Sequence, residues 1–142
     1  MIPVGVVLGF ALALISRSLA ADPAPSPVAD LQALETRVNE KERAGKEQAA
    51  DFAAEFAAYD ALIAKYAGQN SENVAEISLS KAILAWELGC APDVVDKNFL
   101  AVASGFPGTK SASMAERIRK NNATMAALVG QPAPELHFKW AS

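Results

Sequence analysis

Tyr66-Ala67-Gly68-Gln69-Asn70-Ser71-Glu72-Asn73-Val74-Ala75-Glu76 is answered forty residues later by Phe106-Pro107-Gly108-Thr109-Lys110-Ser111-Ala112-Ser113-Met114-Ala115-Glu116. Both stretches place an aromatic two residues before a glycine, a serine three residues after it, and then an apolar-Ala-Glu triplet. Ala61-Leu62 ahead of the first aromatic falls on Ala101-Val102 ahead of the second. Each part of the pattern has a physical use in a helical hairpin. The aromatic plugs the turn, glycine permits a positive φ, the serine caps the second helix, and a small alanine lets paired helices approach closely. The fold class expected is all-α, built from antiparallel helical hairpins.

The flanking sequence agrees with that reading. From Val28 to Ala67 the chain is rich in Ala, Glu, Lys, Gln and Leu, all strong helix formers. Phe52, Phe56, Tyr59, Ile63 and Tyr66 recur at spacings of four and three, which makes one apolar stripe, expected to face a core. Leu31, Leu34 and Val38 start a similar stripe, but Asn39 to Gln48 is polar on every face, with Gly45 in its middle. That stretch is either a solvent-facing helix or a break; the expectation favoured here is one long helix weakened near Gly45. Ser71 caps the next helix, which runs to Leu88 and stops at Gly89. Pro92 suits the first turn of a third, ending near Gly105, and a fourth runs from about Ser111 to Leu128.

Phe106 to Ala115 looks like the inter-helix turn of tetratricopeptide-like repeats, and the likeness covers roughly Phe52 to Leu128. The chain departs from that family in its longer period and in having about two copies. Three or more repeats are normally needed to close such a core.

Past Leu128 the character changes. Gly130 ends the last helix, Pro132 and Pro134 hold the backbone extended, and Leu136, Phe138 and Trp140 alternate onto one face. A strand of this length needs partners for its backbone, so residues 130–142 read as an extended tail opening a second domain. Gly130-Gln131-Pro132-Ala133-Pro134-Glu135-Leu136 is similar to the lead-in of the redoxin (thioredoxin-like) domain in TlpA-like thiol-disulfide oxidoreductases. That resemblance implies an extracytoplasmic redox protein working through a Cys-x-x-Cys pair, preceded by an exported helical extension. The pair is absent from these 142 residues; Cys90 stands alone, and a redox dithiol needs both an attacking and a resolving sulfur.

At the other end, Ile2 to Ile15 is uncharged and mostly apolar, the length of a signal-peptide core and short of the roughly 20 residues of a membrane span. Ser18-Leu19-Ala20 offers small residues for cleavage after Ala20, although no Lys or Arg precedes the apolar run. A retained membrane anchor is the rival reading. Residues 21–27 form a Pro-Ala-Ser tether, and 28–129 the helical domain. Loss of Arg17 with the leader takes the formal charge from −3 to −4, which gives nucleic acid no concentrated basic face to bind.

No catalytic, cofactor-binding or metal-binding residues emerge. His137 is the sole histidine and carboxylates show no ligand-like spacing, so no zinc site is expected. Gly-rich phosphate loops are missing. Arg117, Arg119 and Lys120 read as a solvated helix face, and Cys90 as a buried small hydrophobe. The function expected is a non-catalytic scaffold or interaction region, engaging its own redoxin domain or a protein partner, in an exported, periplasmic chain. The alternative is a free-standing periplasmic helical adaptor.

Overall fold

The computed structural model describes residues 26–69 and 71–129. The leader, most of the tether, and the tail from Gly130 with His137 lie outside them. Among the described residues five α-helices occur and no strand: α1 Pro27–Arg43, α2 Ala53–Lys65, α3 Glu72–Glu87, α4 Pro92–Gly105 and α5 Lys110–Leu128. A 3-10 turn, Ala49–Phe52, leads into α2. Short connections make sequence neighbours antiparallel. Helices α1, α3 and α5 touch in succession as one layer, and α2 and α4 sit against them as a second.

Helix α3 is the centre, in contact with all four others. It can do this because it is apolar on two faces. Val74, Ile77 and Leu84 join Leu31, Leu34, Val38, Phe52, Tyr59 and Tyr66 in a first core, between α1, α2 and α3. Leu79 and Ala82, on its other side, join Val95, Phe99, Val102 and Ala115 in a second, between α3, α4 and α5. The Phe52–Tyr66 stripe is therefore core, as its spacing predicts: Phe52, Tyr59 and Tyr66 are buried, and Phe56 and Ile63 are half-buried against them.

The single long helix expected over Val28–Ala67 is instead two. Helix α1 stops at Gly45, whose φ of +76° only glycine adopts without strain. The Gly45 N–H donates to the Glu42 carbonyl at 2.9 Å and the Lys46 N–H to the Lys41 carbonyl at 3.1 Å, a Schellman closure. With no apolar residue from Asn39 to Gln48 to bury beyond the alanine at the turn, nothing holds a continued helix against the core. The chain turns back, and Phe52 enters the first core. Asp30 fastens the other end of this hairpin: its carboxylate accepts from Lys65 Nζ at 2.6 Å and from the Tyr66 hydroxyl at 2.7 Å. These two bonds, Lys65 first, hold the Asp30 carboxyl below its ordinary range.

The two repeated turns share their glycine geometry, φ +85° at Gly68 and +84° at Gly108. Past the glycine the sequence alignment slips. Ser71 does cap α3, accepting from the Val74 N–H, but α5 is capped by Thr109, which accepts from the Ala112 N–H at 3.0 Å. The second turn is two residues shorter. Buried Val74 and Ile77 then correspond to buried Ala112 and Ala115, while Met114 is exposed.

Ser111, freed from capping, meets Glu72. The Glu72 carboxylate accepts from the Ser111 hydroxyl at 2.6 Å and from the Lys110 and Ser111 N–H groups at 2.7 and 2.8 Å. A carboxylate on α3 thus satisfies open donors at the positive end of α5. The Ser111 hydroxyl, then the Lys110 N–H, hold Glu72 below its usual 4.5. A carboxyl with a lowered folded pKa contributes stability that is complete above its unfolded value and is lost as pH falls through the folded one. Glu72→Gln should therefore melt at lower temperature than the parent near neutrality, with the gap shrinking as pH falls through and below the ordinary carboxylate range. A gap unchanged across paired melting curves would show that the charge plays no part.

Candidate functional site

Three of the recesses among the described residues have apolar side chains beneath them, and their character depends on which helices part. The first, of about 530 Å3, lies where α3 ends, α4 begins and α5 runs past both. Trp86, Cys90, Val95 and Phe99 form its floor, and Met125 and Ala126 its lip. Helix α5 is 19 residues long against 14 for α4, so its last turns overhang. Every residue from Ala123 to Val129 is exposed, including Met125, Leu128 and Val129 at 65%, 58% and 83%. Trp86, at the end of α3, is itself 49% exposed. The apolar edge is thus concentrated where α5 hands over to the residues after it.

Arg119 closes one side of this groove. Its guanidinium donates to both Asp96 carboxylate oxygens, at 2.8 and 3.1 Å, and so clamps α5 to α4. The expectation of a solvated basic face at Arg117, Arg119 and Lys120 is corrected for Arg119, which is half-buried. Lys120 remains at the surface, paired with Glu116 one turn away at 2.9 Å. The Arg119 bond lowers the Asp96 carboxyl, and the same bond raises Arg119.

A second groove, of about 630 Å3, runs between α2, α3 and α4, past Phe56, Ala85 and Val94. Lys81, Asp93 and Lys97 make its rim charged. Cys90 lines both grooves. It is half-buried, not sealed as its residue type suggests, because it comes after Gly89 at the end of α3 and sits on the edge of the second core. No disulfide is available to it within this chain.

The third recess is smaller and acidic, about 250 Å3 between α1 and α3 over Tyr59. Glu35, Glu42 and Glu87 stand around it, with Val38, Ile83 and Leu84 beneath. Sequence reading misses it, because Tyr59 carries the signal of a core aromatic and the three glutamates come from two helices. Only the α1–α3 contact, absent from any local pattern, brings them together.

No group of His, Cys, Asp and Glu among the described residues is spaced to hold a metal ion, and no helix there is long and apolar enough to cross a membrane. No protein-family model, curated protein or solved structure matches the chain.

Proposed function

We propose that the helical domain is the non-catalytic mount of an exported thiol-disulfide oxidoreductase of the TlpA-like kind, carrying a redoxin domain that opens near Glu135. The observation that carries this reading is the apolar edge at the end of α5. Met125, Leu128 and Val129 are exposed beside a groove floored by Val95 and Phe99, where the chain departs toward Gly130-Gln131-Pro132-Ala133-Pro134. An apolar surface of this kind marks a place where something docks. The occupant proposed is the segment Glu135–Trp140, where Leu136, Phe138 and Trp140 alternate in sequence and follow the groove's lip by a few residues. Pro132 and Pro134 in between disfavour continuation of a helix into that segment.

Two measurements test this. Sequencing the transcript beyond the codon for Ser142 should find an open frame encoding Trp-Cys-x-x-Cys. A stop codon there would leave a free-standing periplasmic adaptor instead. Separately, Cys90 lines the docking groove, so its thiol reports occupancy. Labelling of Cys90 in the folded chain should be several-fold slower than in a variant carrying Leu136→Ser, Phe138→Ser and Trp140→Ser. Equal rates would remove the segment from the groove.

A further inference from the structure

We propose that the acidic recess between α1 and α3 binds a primary alkylammonium group, with its methylene stem against Val38 and Leu84 and its charge among Glu35, Glu42 and Glu87. The floor supplies the first argument. Tyr59 is 2% exposed, yet its hydroxyl is acted on by burial and by the charges of Glu35, Glu42 and Glu87 with no hydrogen bond among the described residues. No side-chain oxygen or nitrogen there is both sealed and without a partner. The hydroxyl therefore opens on the recess that Tyr59 lines. A phenol with no partner in the protein, opening on a small recess, leaves both its donor and its acceptor to an occupant.

The rim supplies the second. None of Glu35, Glu42 and Glu87 has a cationic partner within ion-pairing distance among the described residues; Lys46 lines the adjoining recess beside Glu42 and Glu87, but its ion-pair contact is with Asp51, at 3.6 Å. Lys41 pairs with Glu55 and Lys81 with Asp60. Only Ser80 serves the cluster, donating to Glu35 at 3.0 Å. The carboxylates face the phenol closely enough that, after burial, their charges are the next causes holding the Tyr59 proton on. Focused negative potential over an apolar floor selects a cation with a hydrocarbon stem. The volume of about 250 Å3 falls below the roughly 300–1,000 Å3 of whole-ligand pockets, and suits a single side chain. An ammonium also supplies suitable donors: three N–H groups, enough for two carboxylates and the phenol oxygen.

The group could come from a free diamine or from a lysine of a peptide. Calorimetric titration of the full chain with 1,5-diaminopentane, and with a blocked hexapeptide carrying one lysine, separates the two. At least one should bind saturably at one site and weaken with added salt, and the norleucine version of the peptide should not bind. Glu87→Gln should weaken binding about tenfold, as loss of a charge-assisted bond does. Tyr59→Phe preserves the core volume and should weaken it roughly threefold to tenfold. Glu40→Gln, on the far face of α1, should leave it unchanged. The proposal is overturned if neither probe binds, if norleucine serves as well as lysine, if Tyr59→Phe has no effect, or if Glu40→Gln matches Glu87→Gln.

Discussion

Phe99→Ala is expected to lower the unfolding free energy by about 3–5 kcal/mol, the range for deleting a fully buried ring. Phe99 is 0% exposed and central to the second core, where its neighbours are Leu79, Ala82, Val95, Val102 and Ala115. Two of those five are alanines, one on α3 and one on α5. Neither can swing into the space left behind, so the cavity stays open and its full penalty is felt. Phe99→Leu refills most of the volume and should cost less than half as much. Urea unfolding monitored by far-ultraviolet dichroism reads both. Because α3 belongs to both cores, the loss should lower the midpoint of one shared transition, not detach α4 and α5 as a separate phase. A variant that melts in two steps, or loses under about 1 kcal/mol, would show that the second hairpin is held by something other than this core.

How far the sequence leads depends on whether a feature is local. The Phe52–Tyr66 stripe, the cap at Ser71, the stop at Gly89 and the start at Pro92 are each decided within a turn or two, and each is where its residues predict. Gly45 is ambiguous because a glycine inside a helix and a glycine ending one look alike until the next turn is read. Here that turn, Lys46-Glu47-Gln48, is wholly polar and gives a continued helix nothing to bury. The turn repeat is legible at Gly68 and Gly108 but misleading at Ser111, which looks like a cap in one dimension. It is a partner for Glu72 in three, a contact made 39 residues apart. The same limit hides the acidic recess and the Arg119–Asp96 clamp, since both depend on which helices become neighbours.

Lys41→Met should be strongly disruptive, because it strands a buried carboxylate. Glu55 is 4% exposed, on the first turn of α2, and its Oε2 accepts from Lys41 Nζ at 2.6 Å. The same ammonium donates to the Asp51 carbonyl at 2.8 Å and stands 5.6 Å from the Phe52 ring centre. One side chain from the last turn of α1 therefore fastens the 3-10 turn, the start of α2 and the ring that enters the first core. It does so across the very polar loop that the Gly45 turn creates. Breaking a buried pair by removing one partner costs about 3–5 kcal/mol. The Lys41 side chain is 35% exposed, so water recovers some of this and about 2–3 kcal/mol is expected. Glu55→Leu alone leaves the lysine free to reach solvent and should cost less. The two changes together replace the pair with apolar volume and should recover much of the loss, giving a coupling of about 1 kcal/mol or more in a double-mutant cycle. Additive effects would mean that the two charges act independently, and that the hairpin is closed by Phe52 burial alone.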